Sequence, residues 1–319
     1  MGAFAFVFPG QGSQAVGMGQ DLAAAFAAAR MAFEEVDDAL GERLSRLIAE
    51  GPESDLQLTR NTQPALLAAS MAVVRALEGE LGRPFGQAAT CVAGHSLGEY
   101  TALTAVAALS LGDAARLLRQ RGDAMQQAVP ADAGAMAAIL GLDLAAVENL
   151  AADAARAAGA GLVCEVANDN TPDQIVVSGD RLAVEQAIVL AGERGARRAV
   201  PLPVSAPFHC RLMAPAAEVM DAALAAVALS PLAAPLIANV TAQAVTQPSL
   251  VRDLLVRQVT GRVRWRESVA ALRAAGVDTV VELGPGRVLS GLVRRCDRDL
   301  TVASAADPAS LDGVLKLLG

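Results

Sequence analysis

Two periods of apolar residues alternate along the chain. Short runs such as AFAFVF at 3–8, TCVAG at 90–94 and DTVVE at 278–282 are dense in β-branched, aromatic and small apolar residues. They read as buried strands. Further strands are expected at 135–141, 162–167, 174–178, 198–203 and 235–239. Between them the apolar residues recur at i, i+3, i+4 and i+7, predicting helices over 20–40, 61–81, 97–108, 113–128 and 143–158. The same spacing predicts helices over 180–194, 211–228, 248–258 and 265–275. Strand-helix alternation of this kind predicts an α/β protein.

Within that alternation, residues 131–205 follow a different order. GAMAAILGL, AAVENLAADAARA, GLVCEVAN, QIVVSG, LAVEQAIVLAGE and ARRAVPLPV read strand, helix, strand, strand, helix, strand. This is the split βαβ of ferredoxin-like folds. The segment is expected to form an inserted α+β subdomain, leaving 1–130 and 206–319 as the major domain with a parallel sheet.

Composition narrows the function classes. The chain has 319 residues, 53% of them apolar, enough for a large core. Even so, no stretch approaches the roughly 18 consecutive apolar residues of a membrane span. The start, MGAFAFVFPG, has no basic region and runs directly into a strand pattern, so a signal peptide is not expected. Four cysteines, at 91, 164, 210 and 296, are widely separated with no C-x-x-C pair, which predicts reduced thiols in a cytoplasmic protein. The net charge is −8, which argues against nucleic-acid binding. Lys316 is the only lysine, which removes most options for Schiff-base chemistry, and the positive charge is almost all arginine.

Near the amino terminus, Gly10-Gln11-Gly12-Ser13-Gln14-Ala15 follows the first strand and satisfies G-x-G-x-x-G/A, the dinucleotide fingerprint. That fingerprint also needs a second strand ending in an acidic residue about 20 positions on. Here Glu34 and Glu35 lie inside a helical pattern, so no dinucleotide site is expected. What survives is the physics of small residues, which let backbone amides approach an anion closely.

The most informative stretch is VAGHSLGEYTAL at 92–103. Gly94-His95-Ser96-Leu97-Gly98 matches G-x-S-x-G between a strand pattern and a helix pattern, the context of a nucleophile elbow. On such a turn the serine stands at a helix amino terminus, and the amide of Leu97 points to where a thioester or ester oxygen gains charge. A glycine-rich turn with an N-capping serine is the blander alternative. Serine needs a base, and the chain has two histidines. His95 adjoins the serine, and neighbours on an elbow point apart. That leaves His209, in LPVSAPFHCRLM, after a strand and two prolines. Asp169, Asp173 and Asp180 lie between serine and histidine, but none is singled out as a third member, and a backbone carbonyl can orient an imidazole as well.

On the helix predicted at 113–128, Ala114, Leu117, Leu118 and Met125 share one face, with Arg116, Arg119, Gln120 and Asp123 opposite. Arg121 falls with the apolar group. A guanidinium does not shed its proton, so a buried one needs an anion. An internal salt bridge or a snorkelling side chain is one reading. The other is a clamp on a carboxylate-bearing acyl group beside Ser96.

These residues belong to a wider set. FPGQGSQ-x-x-GM, NTQPALLAAS at 61–70, GHSLGEY at 94–100 and RGDAMQQAVP at 121–130 occur in order. GAMAAILGL at 134–142, PVSAPFH-x-x-LM at 203–213, VRQV at 256–259 and ELGPGRVLSGL at 282–292 continue the series. Together they resemble the bacterial malonyl-CoA:acyl carrier protein transacylases from end to end. The resemblance implies a hydrolase-like major domain with a ferredoxin-like insert. It implies Ser96 as nucleophile and His209 as base, the imidazole held by the backbone carbonyl of Gln258 rather than by an aspartate. It further implies the amides of Gln11 and Leu97 as oxyanion hole, Arg121 on the malonyl carboxylate, and Phe208 and Asn168 at the substrate.

No bound cofactor is implied. Malonyl-CoA is the substrate, and the acceptor is the phosphopantetheine thiol of a holo acyl carrier protein in fatty-acid synthesis. A monomer is expected, since no heptad or exposed apolar helix stands out. Carrier proteins are acidic, and Arg197 with Arg198, Arg262 with Arg264 and Arg266, and Arg287 with Arg294 and Arg295 are candidate docking patches or simply solvated faces.

Three other readings compete. A serine esterase or thioesterase predicts Ser…Asp…His with the histidine near the carboxyl end, whereas 110 residues follow His209. A non-catalytic malonyl- or CoA-binding module would not require Ser96, His209 and Arg121 together. Service to polyketide synthesis or malonate decarboxylation shares the same site chemistry.

Overall fold

The computed structural model describes residues 2–130 and 132–319. Met1 and Ala131, the first residues of the expected major domain and insert, lie outside them. The chain forms a mixed α/β structure with two sheets. The strands are β1 (Phe4–Phe8), β2 (Cys91–Gly94), β3 (Gly134–Leu140), β4 (Cys164–Thr171), β5 (Gln174–Asp180), β6 (Arg198–Pro201), β7 (Leu236–Ile237), β8 (Ala244–Val245), β9 (Thr279–Leu283) and β10 (Thr301–Ala305).

The larger sheet runs β10-β9-β1-β2-β7-β8, parallel except for the final β7–β8 pair. Alternation along β1 explains its two-sided burial. Phe4, Phe6 and Phe8 enter one core with the helix Thr59–Leu81, while Ala5 and Val7 enter a second core with Trp265, Val280 and Leu289. A strand buried on both faces reads as a continuous apolar run, as β1 does. Register places Phe8 beside Gly94, and Val7 beside Glu282, at the carboxyl ends of three parallel strands. The loops FPGQGS, GHSLG and ELGPGR therefore leave one edge together, where ligands bind in open parallel sheets.

The second sheet, β4-β5-β3-β6, is antiparallel throughout. One face packs its own helices, Leu144–Ala158 and Arg181–Glu193, through Ile139, Val147, Leu150, Ile175, Val177 and Val184. Met136, Ala138 and Val176 on the other face join the main core. Asp169 fixes it laterally, its amide donating to the Val263 carbonyl at 2.9 Å and its buried carboxylate taking Arg266 at 2.8–3.1 Å.

The structure corrects several expectations. The helix read over 20–40 breaks at Phe26, whose backbone is extended (φ −126°, ψ 120°), giving Gln20–Ala25 and Ala27–Leu40. Helices Leu44–Glu50, Val288–Cys296 and Pro308–Leu318, with strand β10, complete the fold in stretches not predicted as elements. Arg119, placed on the polar face, is buried and donates to the Arg60 carbonyl at 2.9 Å while pairing with Glu42.

Candidate active site

The turn after β2 is built by steric exclusion. Ser96 sits at φ 56°, a left-handed conformation that costs a non-glycine residue about 1–3 kcal/mol. It persists because its surroundings leave no alternative. A Cβ on Gly94 would lie 1.9 Å from the Gly98 carbonyl, and one on Gly98 would lie 2.3 Å from the Phe8 carbonyl. Both glycines are therefore obligatory: the helix Gly98–Ala105 starts directly against the end of β1 and the loop that carries Gln11. Asn239, just beyond β7, fixes the turn from the far side. Its Oδ1 accepts from the Ser96 amide at 2.8 Å, and its Nδ2 donates to the Gly94 carbonyl at 2.6 Å.

Ser96 Oγ lies 2.7 Å from His209 Nε2. His209 Nδ1 lies 2.9 Å from the Gln258 carbonyl and 3.2 Å from the Gly261 carbonyl. Carbonyls only accept, so Nδ1 carries the proton and Nε2 is left to accept from the serine hydroxyl. Burial, followed by the positive charge of Arg121, pushes the imidazole down from its ordinary value to about 3. The ring is thus neutral at physiological pH, with Nε2 free to accept a proton. Asp169 is taken by Arg266, Asp173 by Arg197 and Arg295, and the Asp180 carboxylate accepts from the Val163 amide. None of the three aspartates weighed from the sequence is the partner of this imidazole.

His95 turns its ring to Asn170 and Trp265 rather than to Ser96 Oγ. Its Nε2 is 2.9 Å from Asn170 Oδ1 and its ring lies 5.6 Å from that of Trp265.

Arg121 is 1% exposed, on the apolar face of the helix Leu111–Gln127. Its Nη1 donates to Gln63 Oε1 at 2.8 Å. Its Nη2 donates to Gln258 Oε1 at 2.8 Å and to Ser96 Oγ at 3.2 Å. The Tyr100 ring centroid is 5.8 Å from the guanidinium carbon. Among the described residues no carboxylate pairs directly with it, and the buried Nε has no acceptor. A buried guanidinium held by two neutral amides, beside the Ser96 hydroxyl, has the chemistry of a carboxylate receptor.

The remaining expected residues fall as follows. Leu97 is buried at the start of the helix Gly98–Ala105, and among the described residues neither its amide nor that of Gln11 donates to a protein acceptor. Gln11 Nε2 reaches Thr59 Oγ1 at 3.4 Å. Phe208 is buried in the main core beside His209. Asn168 is buried on β4 and bridges Val263, whereas its neighbour Asn170 is the residue that touches the elbow. Of the arginines weighed for docking, Arg197, Arg262, Arg264, Arg266 and Arg295 are held in ion pairs.

Sequence reasoning missed Gln63, Glu99, Asn239 and the side chain of Gln258. Gln63 and Glu99 lie within NTQPALLAAS and GHSLGEY, but nothing in their spacing predicts partners on other elements. Asn239 and Gln258 lie 143 and 162 residues from Ser96.

Residues 5–315 match the acyl transferase domain family. The chain is 44% identical to the malonyl CoA-acyl carrier protein transacylase of Bacillus subtilis over 318 residues, covering 100% of this chain and 98% of that one. It superposes on the crystal structure of an acyl-carrier-protein-S-malonyltransferase from Bartonella henselae with a TM-score of 0.95 and 51% identity, covering 99% of each chain. A malonyl-transacylase solved in complex with its holo type II PKS acyl-carrier protein matches with a TM-score of 0.94 and 42% identity, covering 99% of this chain and 98% of that one.

Proposed function

The chain belongs to the acyl transferase domain family, and on that premise we propose that it moves malonyl groups from malonyl-CoA to the phosphopantetheine thiol of a holo acyl carrier protein, supplying fatty-acid synthesis. The observation that carries this reading is Arg121, a buried cation with no carboxylate partner among the described residues, 3.2 Å from Ser96 Oγ. An acyl group ending in a carboxylate supplies that partner, and a neutral acyl group does not.

The mechanism proceeds from the hydrogen bonds. His209 Nε2 takes the Ser96 proton as Oγ attacks the thioester carbon. The oxyanion forms between the Gln11 and Leu97 amides at the helix amino terminus. The carbon–sulfur bond then breaks, and CoA leaves with the proton from His209, giving malonyl-Ser96. The carrier thiol enters, gives its proton to His209, and takes the malonyl group, regenerating Ser96. The Gln258 carbonyl holds the imidazole in the required tautomer throughout. Phe208 and Asn168 border the acyl pocket.

The proposed architecture is a hydrolase-like major domain, 1–130 and 206–319, with a ferredoxin-like insert at 131–205. The order β3, helix, β4, β5, helix, β6 supports the insert. Among the described residues no helix is long and apolar enough to cross a membrane, and the protein is proposed to act as a cytoplasmic monomer. The likeness to the transacylase in complex with a type II PKS carrier favours polyketide carriers as a second destination.

The test presents the enzyme with malonyl-CoA and either a fatty-acid or a polyketide holo carrier, measuring malonyl-carrier against free malonate. Transfer that depends on the carrier thiol is expected. Release of malonate at the same rate with and without the carrier identifies a hydrolase and overturns the reading.

A further inference from the structure

The mechanism leaves the buried carboxyl of Glu99, beside the site, without a role. Glu99 is 1% exposed and stands in the first turn of the helix Gly98–Ala105. Its Oε2 accepts from Gln258 Nε2 at 2.6 Å, and its Oε1 faces the Asn239 amide at 3.4 Å. Desolvation of a carboxyl is costly and is accepted where its hydrogen bonds are needed. Burial pushes this carboxyl up to about 7, although Gln258, Asn239 and the charge on Arg121 all oppose the rise.

Gln258 joins three parts of the site. Its backbone carbonyl holds His209 Nδ1, its Oε1 accepts from Arg121 Nη2, and its Nε2 donates to both Glu99 and the Ser96 carbonyl. A side-chain amide has one donating and one accepting end, and the two are nearly identical in shape. Turned over, Gln258 would set an NH₂ against the guanidinium and an oxygen against two acceptors. Ionised Glu99 only accepts, and with the Ser96 carbonyl it selects the orientation that presents oxygen to Arg121.

We propose that Glu99 is a positioning residue for acyl-group selection: by fixing the Gln258 amide it holds the Arg121 guanidinium aimed at the carboxylate of the incoming acyl chain beside Ser96. The inference rests on the malonyl reading above. It assigns Glu99 no contact with substrate, and its effect passes through Gln258 and Arg121.

The experiment measures kcat/KM for acylation of Ser96 by malonyl-CoA and by acetyl-CoA, using rapid quench and intact-protein mass. It uses wild type, Glu99→Gln, Glu99→Asp, Arg121→Ala and the double variant Glu99→Gln/Arg121→Ala. Glu99→Gln offers an amide that also pairs with the reversed Gln258. Glu99→Asp keeps the charge but withdraws it from Gln258. Both are expected to lower malonyl acylation about 10- to 100-fold, the range of one hydrogen bond to a charged group. Acetyl acylation is expected to fall by about threefold or less, because a methyl group makes no demand on Arg121. In the Arg121→Ala background, Glu99→Gln is expected to have no further effect on malonyl acylation. If Glu99→Gln is insoluble, Glu99→Asp supplies the same ratio.

Equal losses for the two acyl groups, an unchanged ratio, or full additivity with Arg121→Ala overturns the assignment. Wild type that fails to accept malonyl at Ser96 overturns the functional reading instead.

Discussion

Replacing Arg121 by alanine tests the selectivity argument quantitatively. The guanidinium is 1% exposed and is held by Gln63 and Gln258, each at 2.8 Å. Its geometry is therefore set before substrate arrives, and little ordering is needed to bind a carboxylate. Removing one partner of a buried, hydrogen-bonded charge pair costs about 3–5 kcal/mol. For malonyl-CoA that corresponds to a loss of about 10²- to 5 × 10³-fold in kcat/KM. An acetyl group forfeits only the 3.2 Å contact between Nη2 and Ser96 Oγ, worth about 1 kcal/mol, or roughly fivefold. The malonyl-to-acetyl ratio is thus expected to fall by about 10²-fold. The assay is single-turnover acylation of Ser96 by each thioester, with a thermal melt to verify folding. Arg121→Lys separates charge from shape: an ammonium keeps the charge but not the planar fork, so an intermediate ratio is expected. Equal losses for malonyl and acetyl in Arg121→Ala would refute the reasoning and leave Arg121 a structural residue.

Three further predictions concern the base, the elbow and an exposed helix position. With His209 held near 3 by burial and the Arg121 charge, the neutral imidazole persists as pH falls and is lost only on passing through that depressed value. Acylation of Ser96 by a small neutral ester, which makes no demand on Arg121, should therefore show no acid limb at the ordinary imidazole value of 6.5; a limb there would contradict the burial argument. Gly94→Ala places a methyl 1.9 Å from backbone atoms that cannot retreat, so a loss of about 3 kcal/mol or more is expected, read as insolubility or a clearly lowered Tm. Gly79→Ala, in the exposed part of the helix Thr59–Leu81 with nothing within 4 Å of the added carbon, should raise stability by up to about 1 kcal/mol in the same melt.

What the sequence disclosed depended on how local the signal was. Ser96 was legible because Gly94 and Gly98 flank it at fixed spacing, and the clashes that demand them are local. Arg121 was legible because helical periodicity placed it among leucines. His209 emerged by counting, since the chain has two histidines and one adjoins the serine. The groups that orient these three were hidden. Asn239 and Gln258 reach Ser96 across 143 and 162 residues, and their roles exist only once β7 pairs with β2 and the helix Pro248–Thr260 packs nearby. The carboxyl-terminal elements were missed for another reason. β10 is a half-exposed edge strand, TVASA, with no clear alternation, and the helix Val288–Cys296 follows a bend holding Gly284 and Gly286 and carries Gly291, which together mask its period. The break at Phe26 lies within an alanine-rich run of high helix propensity; its extended backbone is set by packing rather than by any local breaker.

The central claim is that Ser96 carries the malonyl group between donor and carrier. The most direct measurement is intact-protein mass after incubation with malonyl-CoA, with the adduct located by peptide mapping and then chased with holo acyl carrier protein. The account predicts one malonyl group on Ser96 of the wild type, its transfer to the carrier on the chase, and no adduct on Ser96→Ala. A malonyl adduct that persists in Ser96→Ala, or one on the wild type that the carrier does not discharge, would contradict it.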